Sequence, residues 1–304
     1  MIALIIGYGS AGKRHLKVLK KINNIKKIYV VTSQDKISTD KIIFLKKIKE
    51  INPKIIIIAN ETNKHMDTLV DLGKRFKNKI IIVEKPLFHK FYNFKCQNNK
   101  VFVAYNLRFH HILKFIKKKI LLGKEKVFYV EAETSSYLPY WRKNLDYSIS
   151  YSSSKKKGGG TLLDLSHEID YVKWLFKDFK IKKILSKKIS SLNITSNDFT
   201  LILGKLQNRG LIKLKMTYFN KLPKRILTIC FDNGKQIYAD LLKSNLKIFY
   251  KEKVKSLHFK KSSNYLMTKQ MYIDILQKKY TNICTYKEGL NLLKSIKNKF
   301  FLIN

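Results

Sequence analysis

Proline is scarce in this chain, with four in 304 residues, and no Pro-, Gly- or Ser-rich stretch marks a linker. Any domain boundary must be read from a change of rhythm. Cysteine is scarce too: Cys96, Cys230 and Cys284 are scattered and odd in number. That excludes a disulfide framework and offers no metal-ligand spacing, so no metal and a reducing cytoplasm are expected. No apolar run approaches the roughly 20 residues that span a bilayer. The opening run stops at Gly7, too short for a signal-peptide core, and reads as a strand. Acidic residues number 21 against 63 basic ones, a formal charge of +42. Arginine is itself rare, six of those 63, leaving 57 lysines spread along the whole chain. Phosphate and base readout draws on Arg forks more than this. The charge therefore reads as solvated Lys faces, with no specific nucleic-acid partner and a general pull on anionic substrates.

What is present is enough apolar residue, 45%, and enough length for two globular domains. Residues 2–6, 28–31, 55–59, 80–83 and 101–103 are short apolar runs, and helical spacing occupies 11–21 and 65–76 between them. Continuous apolar runs alternating with helices predict strands covered on both faces, hence a parallel doubly wound sheet. After about Leu107 the rhythm changes. A helix is expected over 109–122, ending at Gly123, then a strand over 127–134, a long loop over 137–157 and a helix after the glycines at 158–160. Strand-like runs with turn signals at 208–210, 232–234 and 243–245 predict an antiparallel sheet, and two helices near 265–279 and 286–300 close the chain. The expected fold is a doubly wound parallel α/β domain over 1–107, then an α+β domain with a mainly antiparallel sheet over 108–304.

Gly7, Gly9 and Gly12 stand in G-x-G-x-x-G spacing directly after a strand and at the opening of a helix. Those glycines give a tight turn, backbone approach to a pyrophosphate and close helix–strand packing, so the motif predicts a dinucleotide on the helix N-terminus. Ser10 and Ala11 belong to the same loop. Arg14 and His15 follow in the first helical turns, His15 either near the phosphates or as a packing residue. About 20 residues on, where a carboxylate would hold an NAD ribose, stands Thr32, followed by Ser33, Gln34, Asp35 and Lys36. Thr32, Ser33 and Lys36 suit a 2′-phosphate, so the reading is NAD or NADP with NADP favoured; Asp35 swinging in would reverse that. Asn60 and Glu61, after the third run, complete the expected cofactor set.

Ligands of doubly wound sheets sit beyond the carboxyl ends of the strands. The fourth run ends in Glu84-Lys85-Pro86. Lys85 can donate to a substrate oxygen and stabilise charge there. Glu84 can hold that lysine or meet a ribose; Pro86 fixes the chain, and its peptide bond is a candidate for cis. The bland alternative is a surface salt bridge. Farther on, "GGGTLLDLSHEIDYVKWLF" places Asp164 and His167 three apart on one expected helical face, roughly 4.5 Å along its axis, with Asp170 continuing it. That pairing suits proton transfer; the alternative is a capped, solvated face. The three glycines let the backbone pass close to a nicotinamide ring or to another strand. His110 and His111 read as structural, and His65, His89 and His258 carry no constellation.

"GYGSAGKRH", "VEKPL", "AYNLRF" and "GGGTLLDLSHEID", in that order, resemble the Gfo/Idh/MocA oxidoreductases over most of the chain. The resemblance implies a Rossmann domain followed by a domain with an open, mainly antiparallel sheet, and hydride transfer between a nicotinamide and a carbon bearing a sugar or cyclitol hydroxyl. It also implies a second-domain sheet that mediates dimers or tetramers. Carried over by motif, Lys85 matches the catalytic lysine, Asp164 the acidic residue after the Gly-rich turn, and His167 the general base or acid. Here one residue is missing from the usual D-x-x-x-H spacing, so Asp170 is a second candidate to pair with His167. Arg108 is carried to the substrate side. "YLPYWRKNLDY" resembles a branch common in surface-carbohydrate biosynthesis. There Tyr137, Tyr140, Trp141 and Arg142 would stack on a sugar and grip an anion, with Lys155–Lys157 nearby, as a nucleotide sugar requires. The expected activity is an NAD(P)-dependent sugar dehydrogenase or reductase. The rivals are a non-catalytic cofactor-binding regulator and a Lys-rich polyanion-binding protein.

Overall fold

The computed structural model describes every residue except 97, 123, 124, 143, 144, 208, 298 and 301–304. The expected helix end at Gly123, and Asn208 in one expected turn, lie outside the described residues. Two compact units emerge. One comprises Met1–Asn106 and Asn264–Asn291, the other Leu107–Ser263 and Leu292–Asn304. The sequence reading ran its second domain unbroken from 108 to 304; here 264–291 return to the first unit.

In the first unit, β1 (Ile2–Ile6), β2 (Lys27–Val31), β3 (Ile42–Leu45), β4 (Ile55–Ile58), β5 (Ile80–Val83) and β6 (Lys100–Val103) alternate with α1 (Ser10–Leu19) and α2 (His65–Arg75). The isoleucine-rich runs form strands because β-branched side chains pack well on a pleated surface buried on both faces. All four residues of β4 are buried. The runs 28–31 and 80–83 are strands as read, and β3 is an additional one the runs did not signal.

The second unit opens with α3 (His111–Phe115), which passes into a π-helical stretch at Ile116–Ile120 in place of one regular helix over 109–122. It continues through β7 (Val127–Tyr137), α4 (Thr161–Asp164), α5 (His167–Leu175) and β8 (Lys180–Lys187). Then come β9 (Phe199–Lys205), β10 (Leu211–Thr217), β11 (Phe219–Phe231), β12 (Gln236–Asp240), β13 (Asn245–Tyr250) and β14 (Lys253–His258). The chain finishes with α6 (Asn264–Leu276), β15 (Cys284–Thr285) and α7 (Tyr286–Ile296).

The first sheet runs β15-β6-β5-β4-β1-β2-β3. It is parallel except for β15, which pairs antiparallel with β6. The second runs β14-β13-β12-β11-β7-β10-β9-β8 and is antiparallel except where β7 meets β10. Among the described residues no helix is long and apolar enough to cross a membrane.

Candidate functional site

The glycine loop leaves β1 with Gly7 at φ +98°, where a Cβ would lie 2.6 Å from the backbone of Ala59 and Asn60. A Cβ on Gly12 would lie 2.0 Å from the carbonyl oxygen of Gly7. Both glycines are therefore required by the protein itself. Gly9 is different: a Cβ there meets nothing within 4 Å. Its smallness serves no neighbour in the chain. Gly9 is also the N-cap of α1, no side chain caps the helix, and its first turn holds no acid. The first N–H groups of a helix lack intrahelical partners and favour negative charge. An open glycine beside such donors fits the pyrophosphate of a dinucleotide.

At the end of β2, Thr32 Oγ1 accepts from the Gln34 N–H at 3.1 Å. Asp35, whose side chain is 96% exposed, pairs with Lys46 at 2.5 Å. The Lys46 hydrogen bond, with its charge, lowers the Asp35 pKa. Lys46 also donates to the Ser33 carbonyl at 2.8 Å. This lysine, just past β3, was missed because nothing in the sequence placed β3 beside β2.

Glu84, 5% exposed, is not a surface group. Its Oε1 accepts from Arg14 Nη2 at 2.5 Å and lies 2.7 Å from His15 Nε2, and its Oε2 accepts from the Lys85 backbone N–H at 3.2 Å. Burial pushes its carboxyl up, but Arg14, His15 and Lys85 outweigh that and hold it well below the usual carboxylate range. Glu84 thus holds the turn that carries Lys85, and Arg14 is engaged with it. The Lys85–Pro86 peptide is cis. Asn60 donates to Thr68 at 2.8 Å, and Glu61 pairs with Lys64 at 2.8 Å on the surface.

In the second unit two of the three glycines press on the chain itself. A Cβ on Gly159 would lie 2.3 Å from the Tyr151 carbonyl oxygen, and on Gly160, at φ +106°, 2.3 Å from Asn197 Oδ1. The expected single helix is broken: α4 stops at Asp164, Leu165 and Ser166 form a turn, and α5 starts at His167. Asp164 and His167 therefore do not share the face of one regular helix. Asp164, 6% exposed, accepts from Ser152 Oγ at 2.5 Å and from the Tyr151 and Tyr218 hydroxyls at 3.0 Å each. Burial, with the Asp164 charge, raises the Tyr218 pKa well above 10 and keeps its proton available for donation.

Asp170 takes a bidentate fork from Arg108, at 2.9 and 2.7 Å, with both side chains buried. Arg108, which the sequence reading had placed on the substrate, thus engages Asp170. Trp141 stacks edge-on against Tyr218, with centroids 5.2 Å apart, and donates to Ser136 at 3.0 Å; Tyr137 packs on Tyr140 at 4.8 Å. Trp141 and Arg142 line a recess with Leu138, Tyr147, Ser150 and Ser152. Tyr151, Ser152 and Tyr218 were missed because hydroxyls carry no local signal of what they bond. His110, read as structural, is buried and caps α3 by accepting from the Ile112 N–H, and burial pushes its pKa down to about 4.

The model of the Gfo/Idh/MocA oxidoreductase family's C-terminal alpha/beta domain matches residues 117–299. The chain belongs to the Gfo/Idh/MocA oxidoreductase family. No curated protein matches its sequence. Solved structures show the same fold. Levoglucosan dehydrogenase in complex with NADH and levoglucosan superposes with a TM-score of 0.77 at 14% identity, covering 97% of this chain and 96% of that one. UDP-N-acetylglucosamine 3-dehydrogenase GnnA from Acidithiobacillus ferrooxidans gives 0.74 at 12%, covering 98% and 96%. A super-repressor mutant of Gal80p from Saccharomyces cerevisiae gives 0.76 at 14%, covering 97% and 93%. Within the Gfo/Idh/MocA pattern, the shortened Asp164–His167 spacing now has a physical form, the turn at Leu165-Ser166 between two helices.

Proposed function

We propose that the chain is an NAD(P)-dependent dehydrogenase or reductase acting on a hydroxyl-bearing carbon of a sugar or nucleotide sugar in the cytoplasm, as a homodimer or homotetramer. The observation that carries this reading is Gly9, a residue kept small at a helix N-terminus where the protein leaves room for a side chain. NADH and levoglucosan bound to one relative of the same fold, and the sugar-nucleotide activity named for another, support the cofactor and substrate classes.

A nicotinamide, when bound, supplies the hydride acceptor or donor. The chain supplies the rest. Gly7, Gly9, Ser10, Ala11 and Gly12 cradle the pyrophosphate against the α1 N-terminus. Thr32, Ser33 and Lys36 face the ribose, and Asp35, held off by Lys46, leaves that position without a carboxylate, which supports NADP. His167 takes a hydroxyl proton of the substrate, and the Lys85 amine donates to a substrate oxygen. Asp164 holds the 151–152 segment through its hydroxyl bonds, and Trp141 offers an apolar face to a sugar ring.

The test is reduced-cofactor absorbance with a panel of sugars and nucleotide sugars that includes levoglucosan and UDP-N-acetylglucosamine. Lys85→Ala and His167→Ala are expected to abolish turnover while NADPH binding persists. Wild-type turnover in either variant removes that residue's role. A regulator on the same fold is the second reading, favoured by the likeness to the Gal80p super-repressor. Tight NADPH binding without turnover of any sugar would select it.

A further inference from the structure

We propose that His15 and His65 are positioning residues: two buried imidazoles that clamp the Glu84–Leu87 turn and so fix the backbone from which Lys85 projects. The inference rests on the reading of Lys85 as the amine that meets a substrate oxygen. A lysine has a long, flexible stem, and the protein controls its amine first through the placement of its Cα.

Lys85 is held on both sides in the chain. Before it, the Glu84 carboxylate is fixed by His15 at 2.7 Å. After it, the carbonyl oxygens of Pro86 and Leu87 each lie 3.1 Å from His65 Nδ1. The two rings come from different helices. His15 lies in α1, which follows β1, and His65 opens α2, which follows β4. In the sheet Ile6 is in register with Ile58, and Ile58 with Val83. The three strand ends that would face the cofactor are thus stitched together by two histidines.

Neither ring is mere filler. His15 is 0% and His65 1% exposed, and a buried imidazole must find partners that an apolar side chain of similar volume would not need. The protons can be assigned. Tyr272, on α6, is buried and close to the Glu84 charge, and both hold its hydroxyl protonated. It lies 2.7 Å from His15 Nδ1, while His15 Nε2–H donates to Glu84, whose carboxylate can only accept. Burial likewise favours the neutral form of His65, against the pull of the surrounding carbonyls. A proton on its Nδ1 serves both carbonyls of the turn.

The experiment is amide hydrogen exchange, read by peptide mass spectrometry on the full chain, with bound NADPH fluorescence as a second readout. His65→Leu is expected to accelerate exchange over residues 84–88 by about tenfold or more, while 2–6 and 55–58 stay within about twofold. His65→Asn, which keeps a donor near the Nδ1 position, is expected to return the rate to within about threefold of wild type. Tyr272→Phe, which removes one hydroxyl, is expected to act in the same direction by about threefold. NADPH should bind His65→Leu within about threefold of wild-type affinity while its nicotinamide fluorescence falls by about half, since the glycine loop and not the turn holds the phosphates.

Unchanged exchange over 84–88 in folded His65→Leu overturns the clamp. So does equal acceleration across β1 and β4, which is the mark of a purely structural residue. Should His65→Leu fail to fold, the wild-type imidazole N–H resonances decide: slowly exchanging protons on His65 Nδ1 and His15 Nε2 support the clamp, and their absence overturns it. Failure of the underlying reading looks different. Lys85→Ala with wild-type turnover removes the clamp's catalytic purpose while the exchange pattern stays as expected.

Discussion

The two glycine-rich turns of this protein look alike in sequence and do opposite things. In the first, Gly7 and Gly12 are forced by contacts within the chain, but Gly9 opens on empty space. In the second, Gly159 and Gly160 are both pinned against the protein itself, at the 151–152 carbonyls and Asn197. The first turn is a cradle and the second a brace. The acids that each unit contributes differ in parallel. Glu84 is met by the Arg14 guanidinium and the His15 imidazole, whereas Asp164 is met by three hydroxyls. A glycine motif therefore says where backbone comes close to something. Only the space around each Cα says whether that something is the protein or a ligand.

The contrast can be broken by substitution. Gly160→Ala adds left-handed strain to overpacking and should cost about 2–4 kcal/mol, read as a lower urea midpoint. Glu84→Gln strips a buried carboxylate from its cations. Breaking a buried pair costs about 3–5 kcal/mol, and the partial exposure of Arg14 brings the expectation to about 2. It should also change the acid limb of stability. The Glu84 pKa is depressed on folding, so its contribution is full above the unfolded value of about 4.3 and is lost as pH falls through the folded value. Wild type should lose stability below pH about 4.3 more steeply than Glu84→Gln. Asp164→Asn should cost less, about 1–2 kcal/mol, because hydroxyls can turn to accept from the new amide. Gly9→Ala should be nearly silent in urea melts, within about 0.5 kcal/mol, and yet weaken NADPH binding by about tenfold. A stability loss at Gly9 equal to that at Gly160 would erase the distinction between cradle and brace.

Much of this arrangement was legible in the sequence. Four-residue isoleucine runs declare buried strands, and the register of glycines after the first declares the loop. Two kinds of feature were not. The spacing of Leu162, Leu163, Leu165 and Ile169 suits one continuous helix as well as two, so the break at Leu165-Ser166 leaves no periodic trace. Partners far apart in sequence were the other kind. Nothing local tells that Tyr218 donates to Asp164, that Arg108 is spent on Asp170, or that His65 sits under the carbonyls of Pro86 and Leu87. The strand at Ile42–Leu45, short and flanked by lysines, gave too little contrast to stand out, and Lys46 was hidden with it.

The return of residues 264–291 to the first unit has a consequence for synthesis. The hydroxyl partner of His15, Tyr272, is made 257 positions later, and β6 gains its last neighbour only with Cys284 and Thr285. A nascent chain carrying residues 1–106 holds an imidazole and a sheet edge that both await their partners. Translation must pass residue 285 before the first unit can close, and a ribosome that stalls between 106 and 264 leaves a fragment exposed to chaperones and proteases.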